Sequence, residues 1–470
     1  MAEFRWTAAE VARALGLDAS PEDAETTYAG VSTDTRKITA GSLFVALSGA
    51  SFDAHDFLGQ AADAGATAAV VSRVPVDAPE GMRLFVADTD TRTALGRLGR
   101  HRRRAFGGKV VGVAGSNGKT TTKELLRAAL GSTLRVHATE ANLNNQVGVP
   151  LTLLSIPDDA DVAVVEMGTN EPGEIEVLTA IVEPDVGIIT SIGEEHLEGF
   201  GDVAGVFREE VALLEGLPAA SVAIVADEPA ELPAKAYELL GRGRVHVAGL
   251  EETADLRPDG GMDSVDVERD GSTRWSFRGT AVHLPQPGRH NVRNALIALG
   301  VALELGVSAD DAARGIGAMA RPKLRGEWHE VGRMRVLADC YNSNPPSLAA
   351  AVDLLAAIPA DAKKVAVVGT MRELGAHADA IHRRAAEEIA VHVRDGGIDR
   401  VIATGDFVPA FARLAAELGD RLVTGDDPLD AYAASAPSFE GNETILLKGS
   451  RGVQLERWIP LLQRDWGNPT

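Results

Sequence analysis

The sequence is short of several things that would point to particular classes of protein. Among its 470 residues it has one cysteine, Cys340, so it can form no intrachain disulfide and no zinc site built on cysteine pairs. Aromatic residues make up only 4% of the chain against 45% apolar residues, so its cores must be assembled mainly from Ala, Val, Leu and Ile. No apolar run approaches the roughly 18 residues that would span a bilayer. The opening stretch Met1–Gly16 is charged and amphipathic, without the apolar centre of a signal peptide. A soluble, cytoplasmic protein is the expectation. Positive charge is also scarce: 46 Lys and Arg face 68 Asp and Glu, a net charge of −22. A general nucleic-acid binder, which holds phosphate backbones with clustered Lys and Arg, is therefore excluded. The one basic stretch, Arg97–Arg104, reads as a solvated helix end or linker. There is no internal repeat and no low-complexity tract.

What is present is length and rhythm. A chain of this size implies two to four domains, and the changing order of elements suggests three, at 1–104, 105–319 and 320–470. The first mixes a short helix at Ala8–Leu15 with strands at Ser42–Leu47 and Ala68–Ser72. From Lys109 the pattern becomes apolar strand, glycine turn and helix, with further strands at Val162–Val165, Val186–Thr190 and Val222–Ala226. Near-continuous apolar runs separated by helical stretches are what parallel strands buried on both faces look like. Around 250–285 the sequence turns polar, and the stretch Val265–Phe277 alternates across Asp270-Gly271 as a hairpin does. After Arg321, strands at Arg335–Ala338, Lys364–Val368, Arg400–Thr404 and Thr444–Leu447 alternate with helices such as Ala378–Val391. That is a second doubly wound α/β pattern. The fold class is α/β: a small N-terminal α/β domain, a central parallel sheet of the phosphate-loop ATPase type, and a Rossmann-like C-terminal domain.

The chemistry is densest at Gly112-Val-Ala-Gly115-Ser116-Asn117-Gly118-Lys119-Thr120-Thr121. Between an apolar strand and an amphipathic helix, such glycines let backbone N–H groups converge on phosphate oxygens, and the helix N-terminus adds its positive end. Lys119 would reach the β- and γ-phosphates, and Thr120 would offer a hydroxyl to magnesium. Glu166 closes the strand Val162–Val165, a position at a strand's C-terminal end that suits a metal-holding carboxylate. His196, just past the strand Val186–Thr190 in the same sheet, is a candidate metal ligand as neutral imidazole. The segment Asn142-Leu-Asn144-Asn145 suits recognition of a sugar or peptide through paired amide donors and acceptors, and equally suits a tight turn.

The loop Ser116-Asn117-Gly118-Lys119-Thr120-Thr121-Thr122-Lys123-Glu124 resembles that of the Mur ligases, in the form found in the branch that adds D-alanyl-D-alanine to UDP-N-acetylmuramoyl-tripeptide. The likeness extends, in order, from about residue 30 to 452. It takes in Ser32-Thr-Asp34-Thr-Arg36 and Phe52-Asp53-Ala54-His55, Asn142–Pro150, Gly288–Ala295, Lys323-Leu-Arg325, Asp339-Cys-Tyr341-Asn342-Ser343-Asn344-Pro345 and Lys448–Gly452. The resemblance implies that Glu166 and His196 hold magnesium, that Asn291 reads adenine, that Arg325 approaches the γ-phosphate and that Asp339 contacts the ribose. It places Ser32, Asp34 and Arg36 in the uridine-binding domain. Asn144, Asn145, Tyr341, Asn342 and Asn344 fall on the substrate side. Many relatives carry a carbamylated lysine where this chain has Glu210. Either Glu210 supplies the negative charge directly or it is one more acid on an acidic helix face. Smaller departures are Ala54 in place of a usual glycine, Ser343 in place of alanine and Thr370 in place of aspartate.

Such a ligase uses ATP and magnesium. The terminal carboxylate of UDP-N-acetylmuramoyl-tripeptide becomes an acyl phosphate, which the amine of D-alanyl-D-alanine then attacks. Lys119, His196, Asn144, Asn145 and Arg325 are the residues expected at the chemistry. No nucleic-acid partner or membrane insertion is expected, and a monomer is. Sister amino-acid-adding ligases and folate polyglutamylating enzymes remain the nearest alternatives. A nucleotide-driven switch is the alternative from another class, though it would have no use for Arg325 and Asp339 on a second α/β domain.

Overall fold

The computed structural model describes residues 6–49, 52–359 and 362–467; the first five residues of the amphipathic opening stretch lie outside them. Its helix Ala8–Leu15 starts at a capping box, in which Thr7 and Glu10 satisfy each other's backbone N–H groups, and stops at Gly16 in the left-handed conformation. The strands Val31–Ser32, Leu43–Val45, Ala68–Val71 and Arg83–Val86 form a parallel sheet in that order. The long helix Thr91–Ala105, capped by the Asp90 side chain, then leads into the next unit.

The middle sheet has six parallel strands. Its order is Val136–Ala138, Val162–Glu166, Lys109–Ala114, Val186–Ile189, Val222–Ala226 and Val245–Ala248. The strand that feeds the phosphate loop is therefore flanked on both sides by the strands that end in Glu166 and lead to His196. Side chains along it alternate between two cores. Val111 and Val113 face the helices Lys119–Leu130 and His290–Glu304, while Val110 and Ala114 face the opposite layer with Val149, Leu178 and Leu214. The expected hairpin pairs Asp266 with Arg274, and a third strand, Thr280–Leu284, extends it into an antiparallel sheet.

The third sheet runs Glu327–Val331, Met334–Ala338, Thr444–Lys448, Lys364–Val368, Arg400–Thr404, Leu422–Gly425, parallel except for its first pair. Among the described residues no helix is long and apolar enough to cross a membrane.

One expectation is overturned in part. Arg97–Arg104 is the end of a helix, as expected, but it is not solvated as a whole and is not a linker. It lies inside the helix Thr91–Ala105, and Arg102 is only 2% exposed. The Arg102 guanidinium donates to the Ile156 carbonyl at 2.7 Å and to Asp158 at 2.8 Å. Arg100 and Arg104 converge on Glu183, and Arg103 reaches Asp185 at 2.8 Å. Asp88, which pairs with Arg97, is near in the chain, but the acids that absorb the charge of Arg100, Arg102, Arg103 and Arg104 lie more than fifty residues away, so local composition gave no sign of them.

Candidate nucleotide and ligation site

The phosphate loop sits at the C-terminal edge of the middle sheet, where the end of Lys109–Ala114 turns into the helix Lys119–Leu130. Two glycines are required there. Gly115 has φ +118°, and a Cβ on it would lie 2.4 Å from the Thr190 hydroxyl; Gly118 has φ +87°, and its Cβ would lie 2.7 Å from Asn294 Oδ1. The loop is pinned to the segment after the neighbouring strand. Ser116 N–H donates to the Ser191 carbonyl at 2.8 Å, Asn117 N–H donates to Ser191 Oγ at 3.0 Å, and the Thr190 hydroxyl donates to the Asn117 carbonyl at 2.6 Å. Thr121 is buried one residue beyond Thr120 in the first turn of the helix.

Around this loop charge is concentrated. Lys119 donates to the carbonyls of Gly115 and Ser116 and stands 3.5 Å from Glu195. Burial opposes its charge, but Glu195, Glu210 and Glu166 together hold its pKa above the ordinary lysine value. Glu210 is 2% exposed and accepts the Gly115 N–H at 2.7 Å, so it faces the loop from the helix Val203–Glu215. Burial pushes its carboxyl up to about 7 against the pull of Lys119. Glu195 is buried between Lys119 and His196; burial would raise its pKa, yet those two cations bring it below the usual glutamate value.

His196 adopts φ +49° and has carboxylates on both ring nitrogens, Glu195 at 3.4 Å and Glu373 of the C-terminal unit at 2.6 Å. Burial alone would lower its pKa, but the two acids raise it to about 9. His196 thus closes an ion-pair chain that runs from Lys119 through Glu195 to Glu373. Thr120 donates to Glu166 Oε1 at 3.1 Å and Asn144 to the same oxygen at 3.0 Å. The other oxygen, Oε2, is buried without a hydrogen-bond partner, 3.8 Å from the buried ammonium of Lys123. A hydroxyl beside a carboxylate with a free oxygen is a hard donor set that fits magnesium. Among the described residues no three His, Cys, Asp or Glu side chains stand close enough together to hold a metal ion, so Glu166, His196 and Glu210 do not share one cluster.

The remaining expected residues divide by partner. Asn145 caps the helix Gly148–Leu154, its Oδ1 accepting from Val147 N–H at 3.1 Å and Gly148 N–H at 2.9 Å, as the turn reading of that segment implies. Asn291 donates to the Pro287 carbonyl at 2.8 Å and accepts from Asn294 at 3.0 Å, and Asn294 is the residue that abuts Gly118. In the C-terminal unit the Arg325 guanidinium lies 4.2 Å from the centre of the Tyr341 ring, Asp339 pairs with Lys448 at 2.8 Å, and Asn342 caps Ser343 N–H at 2.9 Å. Asn344 reaches across to Asn117 Oδ1 at 2.8 Å. Ser32, Asp34 and Arg36 form their own turn in the N-terminal unit, with Asp34 gripping Arg36 at 2.8 Å and the Arg36 side chain 86% exposed. No hydrogen bond or ion pair joins that turn to the phosphate loop among the described residues.

Sequence reasoning passed over Glu195, Ser191 and Asn294 as functional positions. Each lies within a segment whose other residues it singled out; the signal it could have used was an acid adjoining His196 and a second asparagine one helical turn after Asn291.

A phosphate loop on the central strand of a parallel sheet, met by side chains from a second doubly wound unit, defines a nucleotide-dependent enzyme that works between two domains. Three family profiles match: "Mur ligase family, catalytic domain" over 27–103, "Mur ligase middle domain" over 113–302 and "Mur ligase, glutamate ligase domain" over 324–451. The chain is 34% identical to the UDP-N-acetylmuramoyl-tripeptide–D-alanyl-D-alanine ligase of Bacillus subtilis, covering 94% of this chain and 95% of the relative. It is 35% identical to the enzyme of the same name from Escherichia coli, covering 96% and 97%. Its structure is similar to a crystal structure of MurF from Acinetobacter baumannii, with a TM-score of 0.87 at 30% identity, covering 99% of this chain and 100% of that one. It is also similar to MurF ligase from Thermotoga maritima in complex with ADP, with a TM-score of 0.80 at 26% identity, covering 93% and 97%. The chain belongs to the Mur ligase family.

Proposed function

We propose that this chain joins D-alanyl-D-alanine to the terminal carboxylate of UDP-N-acetylmuramoyl-tripeptide, consuming ATP. The observation that carries the reading is the phosphate loop with Lys119 at the sheet edge, contacted by the C-terminal unit through Asn344 and, beside it, Glu373. A site assembled from two domains suits a reaction whose intermediate must be kept from water.

The substrate carboxylate attacks the γ-phosphorus of ATP, ADP leaves, and an acyl phosphate forms. The uncharged amine of D-alanyl-D-alanine then adds to the acyl carbon, phosphate departs, and the nitrogen's surplus proton is lost. Gly115–Thr121 cradle the phosphates through backbone N–H groups, and Lys119 turns from its carbonyl partners toward the transferring group. Thr120 and Glu166 are the residues suited to hold magnesium, which supplies positive charge beside the phosphates. Asn144 orients Glu166 and faces the substrate side. Arg325, held over Tyr341, completes the charge around the phosphoryl group on closure; Asn291 and Asp339 serve the adenine and ribose. Ser32, Asp34 and Arg36 serve the uridine end, while Asn145, Tyr341 and Asn342 border the peptide. His196, placed between Glu195 and Glu373, would be a further ligand for magnesium. Glu210 supplies negative charge against the loop, as a counterpart to a carbamylated lysine.

The same reading assigns three domains at 1–104, 105–319 and 320–470, a cytoplasmic location where the nucleotide precursor is made, and action as a monomer. Full-length relatives that carry the D-alanyl-D-alanine ligase name favour it over the sister ligases and folate enzymes. The test is ADP release from purified protein with Mg-ATP, UDP-N-acetylmuramoyl-tripeptide and D-alanyl-D-alanine, each omitted in turn. Release that needs both acceptor and dipeptide supports the reading. Release that is indifferent to the dipeptide, or satisfied by a single amino acid, overturns it.

A further inference from the structure

Asn344 performs two tasks at once. Its Oδ1 accepts the Ser347 N–H at 3.1 Å and caps the helix Pro345–Ala357, closing a capping box in which Ser347 Oγ accepts the Asn344 N–H at 3.0 Å. Its Nδ2 donates to Asn117 Oδ1 at 2.8 Å, 227 positions away in the sequence. Asn117 is itself fixed, with its N–H on Ser191 Oγ and its carbonyl accepting from Thr190 and Ser191. Beside this bond the close approach continues, because a Cβ on Gly193 would lie 3.2 Å from Pro346. Asn344 is 3% exposed, so its amide donor is spent on the loop and does not point into open cleft.

Among the described residues this is the one side-chain hydrogen bond from the C-terminal unit to the phosphate loop itself. Resting on the ligase reading, we propose that Asn344 is a positioning residue: it ties the capped end of the C-terminal unit's first helix to Asn117, so that domain closure and the shape of the phosphate loop are set together. The bond registers the C-terminal domain against the loop that holds the phosphates, and Arg325 and Asp339 move with that domain. Binding of the nucleotide to the middle unit does not need it; phosphoryl transfer does.

The two tasks can be separated. Asn344→Ser keeps a good helix cap but is too short to reach Asn117, and Asn117→Ala removes the acceptor from the other side. Thermal midpoint, ADP affinity, kcat and KM for ATP, and ADP release as a function of both acceptor substrates would be measured for the wild type, each variant and the pair. The expected result for Asn344→Ser is an unchanged melting midpoint and ADP affinity with kcat reduced roughly tenfold or more, the scale expected when reacting groups are misregistered. In the double variant the loss should not exceed that of the worse single change, the signature of two residues acting through one contact. Undiminished kcat in Asn344→Ser, or losses that multiply in the double variant, would overturn the proposal. If Asn344→Ser fails to fold, Asn117→Ala decides alone: an unchanged kcat contradicts it. Wild-type protein that does not ligate at all would instead sink the functional reading on which the proposal rests.

Discussion

The middle unit meets its two neighbours through seams that differ in how much charge they bury. Against the N-terminal unit the contact is backbone-close. A Cβ on Gly99 would lie 2.9 Å from the Pro150 Cα, and one on Gly96 would lie 2.9 Å from Ile181. Around this approach, Arg102 is buried on Asp158 and the Ile156 carbonyl, Arg103 holds Asp185, and Arg100 with Arg104 grips Glu183. Against the C-terminal unit the contacts at the site are Asn344 on Asn117, Glu373 on His196 and Arg384 on Glu194, with one backbone bond from Glu198 N–H to the Glu373 carbonyl at 3.3 Å. Glu373 is 56% exposed on its side chain. Arg102, buried against its partners, is costly to separate because burial makes an uncompensated charge expensive, whereas the more exposed pairs, Arg104 on Glu183 in the first seam and Glu373 on His196 in the second, exchange with water at little cost. Arg102 makes the first seam the harder of the two to separate. In the N-terminal unit, basic residues buy rigidity; at the site, amides and acids give registration without permanence.

Changes at the second seam should therefore strike turnover and those at the first should strike stability. The largest effect is expected from Lys119→Met: kcat falls by about 10³-fold, the scale for removing a charged group aimed at the transition state, as a steady-state assay would show. Next, Arg102→Met removes a buried guanidinium from Asp158 and the Ile156 carbonyl and should cost about 2 kcal/mol of stability, with kcat/KM within about twofold of wild type. A comparable loss of kcat/KM would erase the distinction between the seams.

Acid should loosen the first seam in a way that Glu183 reports. Hydrogen bonding from Arg104 above all, with help from Arg100, holds its carboxyl below the usual glutamate value of 4.5. A depressed carboxylate adds stability that is fully present above its unfolded value and disappears as pH falls through the lower folded value. Urea titrations of wild type and Glu183→Gln should thus differ at pH 7, by about 1 kcal/mol for so partly exposed a group, and converge below about pH 4.5. A gap that persists in acid would contradict the account. The smallest effect is expected at Glu373→Gln, which removes one of two acids from His196. Stability should stay within about 0.5 kcal/mol, and the protein should show faster hydrogen exchange in the segment 194–201 by mass spectrometry.

The seams also mark where the sequence stopped being readable. Strands Val222–Ala226, Lys364–Val368 and Arg400–Thr404 and the helix Ala8–Leu15 were legible to the residue, because apolar runs and caps are local signals. Strands Val245–Ala248 and Leu422–Gly425 at sheet edges, and Glu327–Val331 with its charged residues, carry too little apolar pattern to stand out. The phosphate loop was legible because its atoms come from consecutive residues. The Arg97–Arg104 stretch was legible as a helix end but its burial was not, because the partners of Arg100, Arg102, Arg103 and Arg104 are remote in sequence. The tie between Asn344 and Asn117 had no local trace, and neither had the way Asn145 turns to the start of its own helix while Asn144 turns to Glu166.

The central claim is that the tripeptide carboxylate is activated by direct attack on ATP in a site shared by the middle and C-terminal domains. Its most direct test uses UDP-N-acetylmuramoyl-tripeptide with oxygen-18 in the terminal carboxylate, Mg-ATP and D-alanyl-D-alanine, with mass spectrometry of the phosphate released. The account predicts one oxygen-18 in each phosphate, together with a pentapeptide product that retains the other label. Unlabelled phosphate would mean that water, not the carboxylate, receives the phosphoryl group, and the ligase account would fail.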